Sequence, residues 1–235
     1  MQIYFDFSGY TDIARGCAQW LGYRFPPNFE RPYLSSDIAE FWRRWHISLS
    51  TWLRDYLYLP LGGNRKGRGR TYLNLMITMA LGGLWHGANW NYLVWGVYHG
   101  LLLILHRVWR QLRPQSGPPS FAGRAAATAL TFLAVTLGWV TFRTANFGDT
   151  AQVYGELFAG GVNFAAPPPP GFVALIGLTA IWLWADRGRR LQTWLSAGKG
   201  SPSFARASGA IAASLVAIEL FSPTGVTVPF LYFRF

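Results

Sequence analysis

The stretch Gly82-Gly83-Leu84-Trp85-His86-Gly87-Ala88-Asn89 closes an apolar run over residues 72–89, and a second run over 90–108 follows without a break. Further apolar runs occupy residues 125–142, 171–185 and 209–221. Several fall short of the ~20 residues that a simple bilayer-spanning helix requires. Short, glycine-interrupted spans imply a packed interior, because irregular backbone at membrane depth must be shielded by protein or line a wet cavity. The expected fold is therefore all-α, a polytopic transmembrane helical protein.

Composition points the same way. Of 235 residues, 51% are hydrophobic and 17% aromatic, while only 13% are charged, about half the share usual in a soluble domain. The twelve tryptophans, many at the ends of apolar runs, suit the aromatic belts of a membrane interface. The formal charge of +11 does not signal nucleic acid, because the 21 Lys and Arg lie between apolar runs and form no basic face or nucleic-acid motif. A single cysteine, Cys17, rules out an intrachain disulfide, and without a Cys/His cluster no structural metal site is expected. Met1 is followed directly by Gln-Ile-Tyr-Phe-Asp-Phe, with no basic leader and no small-residue cleavage site, so no signal peptide is read.

Lys and Arg accumulate in cytoplasmic loops, which gives a topology. Arg65, Lys66, Arg68 and Arg70 form a basic loop over 63–71 before the first run; Arg107, Arg110, Arg113 and Arg124 follow the second; Arg187, Arg189, Arg190, Lys199 and Arg206 follow the fourth. These three regions are expected on the cytoplasmic side. The stretch 144–170 has no Lys or Arg, carries Asp149 and Glu156 and ends in Pro167 to Pro170, so it is expected to face outward as a proline-rich loop.

The first sixty residues behave differently. Residues 1–23 mix Asp6, Ser8, Asp12 and Arg15 into an apolar background and read as a buried helix with one side toward protein or water. After Pro26, Pro27 and Pro32, Asp37 with Glu40 resembles a capping box opening a helix that is expected to run to about Tyr58. On such a helix Phe41, Trp45, Leu49, Trp52 and Tyr56 share one ~80° arc, and Arg43, His46, Ser50 and Arg54 share another on the opposite side. Two readings fit: an interfacial helix with a solvated polar face, or a packed helix whose polar face lines a cavity. Glycines in Leu61-Gly62-Gly63-Asn64-Arg65 suit the left-handed turns that end it.

His86 is the leading candidate for chemistry. An ionisable side chain at membrane depth is expensive, and flanking glycines let other groups approach it closely. The alternative is a neutral histidine satisfied in the interior. His99 and His106 lie seven residues apart on one helix face, and both read as structural, His106 beside Arg107 at the membrane edge. There is no Gly-x-Ser-x-Gly elbow, phosphate-cradling glycine loop or His-Glu-x-x-His helix, and neither His46 nor His86 is followed by an acid four or five residues on. A histidine without a protein nucleophile suits direct transfer, in which imidazole takes the proton of an attacking alcohol, and its ordinary pKa of ~6.5 fits that task.

Several blocks together resemble one family: Asp6-Phe7-Ser8-Gly9-Tyr10-Thr11-Asp12, Arg31-Pro32-Tyr33-Leu34, Phe41-Trp42-Arg43-Arg44-Trp45-His46-Ile47-Ser48-Leu49-Ser50, Trp52-Leu53-Arg54-Asp55-Tyr56-Leu57-Tyr58 with Pro60-Leu61-Gly62-Gly63-Asn64-Arg65, and Gly83-Leu84-Trp85-His86-Gly87-Ala88. They are similar to the membrane-bound O-acyltransferase (MBOAT) family, in particular the C-terminal half of its bacterial branch holding the alginate O-acetyltransferase membrane subunit and the D-alanyl transfer protein of teichoic acids. The ending, Pro229-Phe230-Leu231-Tyr232-Phe233-Arg234-Phe235, resembles the alginate branch as well. Between about Leu112 and Val228 the likeness is one of hydropathy.

The resemblance implies a buried tunnel across the bilayer, with the acyl donor arriving from one side and the hydroxyl acceptor from the other. It implies His86 as the principal catalytic residue, acting as general base, and His46 as its assistant in orientation or proton transfer. It also assigns Arg43, Ser50 and Arg54 to the tunnel lining, with Arg44, Asp55 and Asn89 as supporting residues. Residues 1–62 would form part of the tunnel and 72–235 the spanning helices of one membrane domain. The implied reaction is transfer of an acyl group, acetyl by expectation, from acetyl-CoA or another activated donor. The acceptor is an extracytoplasmic polysaccharide or a relay protein, at a bacterial inner membrane, with membrane lipids as further partners and no bound cofactor. Members of the family are longer, and Met1 falls in a block that lies near their middle, so N-terminal spans are expected to be missing. A non-catalytic truncated scaffold is therefore one alternative reading, and a haem-binding membrane protein using paired histidines is another.

Overall fold

In the computed structural model, residues 2–113, 117 and 119–159 are described, and all their regular elements are helical. These elements belong to one unit, Met1–Val162. The runs expected over 171–185 and 209–221, the basic region after 185, the Pro167 to Pro170 run and the chain ending lie outside the described residues.

Helix α1 spans Gln2–Trp20. Only its start is packed: Ile3, Tyr4 and Phe7 are buried, whereas Tyr10, Ile13 and Trp20 are exposed. The expectation of a buried helix over 1–23 holds for its first two turns alone.

Helix α2, Ile38–Arg44, starts as its sequence suggests. Asp37 accepts a hydrogen bond from the Glu40 amide at 2.7 Å, and Glu40 reaches back to the Ser36 amide at 2.7 Å, one residue beyond the usual capping box. The helix does not continue to Tyr58. Trp45 is extended, His46 turns left-handed at φ 43°, and a separate helix α3 covers Ile47–Leu53. The cause is the loop after α1, which invades the backbone ladder. Glu30 N donates to Arg44 O and Ile47 N to Asn28 O, both at 2.9 Å, so groups that would have bonded within one helix are satisfied across the chain.

The single wheel drawn through these residues therefore breaks at His46. Phe41, Trp45 and Leu49 are buried, but Trp52 and Tyr56 from the same predicted arc are exposed, and His46 from the opposite arc is buried. After α3 comes a π-helical turn, Arg54–Tyr58, closed by Leu59 N donating to Arg54 O at 2.9 Å. Gly62 (φ 111°) and Gly63 (φ 53°) then make the expected left-handed turn.

Helix α4, Gly67–Leu84, takes in Arg68 and Arg70, so the basic loop is shorter than predicted. Helix α5, Trp90–Leu112, starts where the second apolar run does, with Asn89 as its cap accepting from Asn91 N at 3.0 Å. Helix α6 is Phe121–Arg143, and α7, Phe147–Phe158, lies inside the stretch expected to be a loop. By length and composition α6 is the one described helix long and apolar enough to cross a membrane.

Helices α4 and α5 approach closely through glycines. A Cβ added to Gly83 would collide with Tyr92 O and lie 3.2 Å from Gly96 Cα; one added to Gly96 would collide with Met79 O. Both helices turn small or polar groups inward, Thr71, Asn74, Thr78, Gly82 and Gly83 from α4, Asn91, Gly96, His99 and Gly100 from α5. Leu73, Leu81, Leu84, Leu101 and Leu105 face outward.

Candidate active site

His86 is not within a helix. Helix α4 stops at Leu84, and His86 occupies the turn to α5, its amide donating to Gly83 O at 3.0 Å. Gly87, at φ 149°, lets the chain reverse there. The half-buried imidazole meets Trp85, Trp95 and Phe142 edge-on, at ring separations of 5.0, 5.4 and 5.0 Å.

The turn is pinned from the far side. Asn89 Nδ2 donates to Ala145 O at 3.2 Å, and Asn91 Nδ2 donates to Thr144 O at 2.9 Å. Both acceptors lie between α6 and α7, so the junction that carries Phe142 toward His86 is held by two side-chain amides. Asn89 thus acts as a cap and a strut, supporting the loop that bears His86 and making no bond to the ring.

His46 arrives from the break between α2 and α3 and is 8% exposed. Asn28 organises it. Asn28 Oδ1 accepts from Ser48 N and Ser48 Oγ, each at 3.0 Å, and stands 3.3 Å from His46 Nδ1. Because the Ser48 amide can only donate, the Asn28 oxygen is fixed as an acceptor. Ser48 Oγ stands 3.4 Å from the same nitrogen; a proton on His46 Nδ1 would satisfy the Asn28 oxygen and leave the lone pair on Nε2. The ring packs on Phe7 at 4.7 Å and on Trp85 at 6.0 Å.

Trp85 therefore touches both histidines, and the two imidazoles lie within electrostatic reach of each other. Trp85 thus brings two imidazoles to one apolar wall, each ring holding a nitrogen that can serve as a proton acceptor when neutral.

The other predicted residues sit elsewhere in the hydrogen-bond pattern. Arg44 pairs with Glu40 at 2.7 Å on α2. Ser50 Oγ donates to Trp45 O at 3.0 Å, bracing the break. Arg54 and Asp55 form a two-pronged pair at 2.7 and 3.2 Å on the exposed π turn, and the hydrogen bond from Arg54 holds the Asp55 carboxyl below its ordinary pKa. Arg43 is exposed, and its charge acts on His106, not on the His46 region. None of these side chains bonds to His46 or His86 among the described residues.

His99 is fully buried, with Phe41 stacked on it at 6.4 Å and Trp42, Trp95 and Tyr98 against its edges. His106 Nε2 lies 3.6 Å from Asp37. The enclosed ring of His99 and the rim position of His106 leave the pair without a common open face for a haem plane.

Sequence reasoning missed Asn28, Trp95 and Phe142. The last two belong to the inner faces of helices that were recognised. Asn28 lies between prolines in a loop, and nothing local marks it.

Comparison with known proteins adds to this geometry. The chain is 54% identical over 160 residues to a probable alginate O-acetylase AlgI of Pseudomonas putida, covering 68% of this chain and 32% of that protein. It is 41% identical over 152 residues to a peptidoglycan O-acetyltransferase of Helicobacter pylori, covering 65% of this chain and 28% of that one. It is 30% identical over 151 residues to a teichoic acid D-alanyltransferase of Bacillus subtilis, covering 60% of this chain and 38% of that one. The chain thus spans roughly a third of the length of these relatives. The model of the membrane-bound O-acyltransferase family matches residues 1–143, which include every element from α1 through α6, and the chain belongs to that family.

Proposed function

We propose that this chain forms the histidine-bearing part of a membrane O-acyltransferase that acetylates hydroxyl groups of an extracytoplasmic polysaccharide, directly or by way of a relay protein. The observation that carries the proposal is the placement of His46 and His86 against one tryptophan, Trp85, with Asn28 Oδ1 facing His46 Nδ1.

In the proposed reaction His86 takes the proton of the acceptor hydroxyl as its oxygen attacks the carbonyl of an activated acyl group. The new C–O bond forms, the bond to the leaving thiol or equivalent breaks, and the proton passes to the leaving group. His46 orients this exchange or shares the proton. Acetyl-CoA or another activated acyl compound would be the donor. Arg44, Ser50, Arg54, Asp55 and Asn89 act at a distance, by holding helices and turns.

A multi-pass position in a bacterial inner membrane is supported by the inside-out character of α4 and α5. In lipid, helices gain by packing small and polar residues against each other and leaving leucines outward, which is the pattern of Thr71, Asn74, Gly82, Gly83, Gly96 and Gly100 against Leu73, Leu81, Leu101 and Leu105. In this reading the single membrane domain has its basic segments, Arg65 to Arg70 and Arg107 to Arg113, at the cytoplasmic side and residues 144–170 outside.

The deciding measurement is acetate released by mild alkali from polymer made by cells carrying His86→Ala in a full-length form, with protein amounts matched. Loss of a general base predicts a fall of about 10²–10⁴-fold. Unchanged acetylation overturns the proposal.

A further inference from the structure

The end of α5 remote from His86 carries a second site that the acyl-transfer reading does not use. Between α2, α4 and α5 lies a cleft of about 420 Å³ with a wall of Ala39, Leu75 and Leu103 and a rim of His106, Arg107 and Arg110. Gln111, also in its lining, accepts from the Tyr72 hydroxyl at 3.4 Å. Positive charge is concentrated here: Arg43 and Arg110 both act on His106, against the single carboxylate of Asp37. Among the described residues neither Arg107 nor Arg110 forms an ion pair. Arg107 also lies within electrostatic reach of the Tyr58 hydroxyl, and a guanidinium offers five N–H donors in a fixed fork.

The surroundings say what kind of anion fits. Ala39, Leu75 and Leu103 give the cleft an apolar wall beside its arginines, whereas the exposed Leu101, Leu105 and Leu112 lie on the opposite face of α5. An apolar wall leading to a cationic rim matches an amphiphile with an anionic head and a hydrocarbon tail. Basic pockets between helices at the cytoplasmic membrane edge are suited to phospholipid headgroups. We infer that the Arg107–Arg110 cleft binds the phosphate of an anionic phospholipid, with the start of an acyl chain against Ala39, Leu75 and Leu103. This rests on the membrane reading above, though not on the identity of the acyl acceptor.

The test is native mass spectrometry of the detergent-solubilised protein titrated with phosphatidylglycerol or phosphatidylcholine. Two arginines at a membrane surface predict a preference for phosphatidylglycerol of about 30-fold. Arg107→Gln with Arg110→Gln should abolish that preference, Arg107→Lys with Arg110→Lys should retain most of it, and Arg124→Gln, outside the cleft, should leave it intact. Equal binding of the two lipids by the unsubstituted protein overturns the inference, whatever the variants do. So does an equal loss in Arg124→Gln, or displacement of phosphatidylglycerol by equimolar inorganic phosphate or coenzyme A, which would make the cleft a site for a soluble phosphate. Acetylation of polymer is a separate readout, so failure here and failure of the acyltransferase reading are distinguishable.

Discussion

Asn28 and His46, eighteen residues apart in sequence, meet through one side-chain oxygen: Asn28 Oδ1 takes the Ser48 amide at 3.0 Å and faces His46 Nδ1 at 3.3 Å. The loop that breaks the α2–α3 ladder is thus the same one that sets an acceptor against His46 Nδ1. In Asn28→Ala the fixed acceptor is lost, and both tautomers of a buried imidazole become accessible. Losing one such hydrogen bond predicts an activity fall of about 5–30-fold. Acetyl transfer should decline while the yield of folded protein is maintained; full activity in Asn28→Ala would separate the His46 tautomer from the chemistry.

His46 and His86 both lie on Trp85 and within electrostatic reach of each other, so they should act as a unit. Residues that share one proton-transfer step lose far less in combination than the sum of their separate losses. His46→Ala is expected to leave a measurable remainder, His86→Ala a much smaller one, and the double variant should be no worse than His86→Ala alone. Acetate release from all three in parallel checks this. Multiplicative losses would place the two histidines in independent steps.

Much of this arrangement was readable from local chemistry, and the unreadable part has a physical cause. The start of α5 falls where the two apolar runs meet at residues 89 and 90, and the left-handed turn before α4 falls at Gly62 and Gly63 as their sequence suggests. The break at His46 was not readable, because Asp37 to Tyr58 has a strong helical period and the bonds that interrupt it come from Asn28 and Glu30 in a distant loop. A helical wheel assumes one continuous ladder, so it placed Arg43 with His46 when the fold sends Arg43 toward His106. His86 stands out in the sequence as a histidine within an apolar run, but its place in a turn depends on how α4 and α5 pack.

Gly96 offers a test of that packing. Its added Cβ would collide with the Met79 carbonyl and lie 3.1 Å from Ala80 Cα, both backbone atoms that cannot rotate away. Gly96→Ala should therefore destabilise the α4–α5 pair by about 1–3 kcal/mol, as overpacking does. Gly16→Ala, in α1 with nothing within 4 Å, should be neutral or slightly stabilising. Thermal melts in detergent compare the two directly, and equal melting temperatures would show that the two helices are not in contact as described.

Asn91 ties the histidine turn to the rest of the molecule. It is 1% exposed and donates from Nδ2 to both Thr144 O at 2.9 Å and Thr144 Oγ1 at 3.2 Å. Thr144 in turn meets Thr150 Oγ1 at 2.6 Å, so the bond anchors α7 as well as the end of α6. In Asn91→Leu the Thr144 carbonyl loses a buried donor, at a cost of about 1–3 kcal/mol. The consequence for catalysis follows from Phe142, two residues before Thr144 and in edge contact with His86 at 5.0 Å. Once the strut is gone, Phe142 can withdraw and the His86 ring gains freedom, so acetyl transfer should fall more than the melting temperature alone would explain. Asn91→Asp keeps the shape and loses the donor, and it should share the defect. If Asn91→Leu melts early yet transfers acetyl normally at a permissive temperature, the strut serves stability alone and His86 is positioned by α4 and α5 without help from the α6–α7 junction.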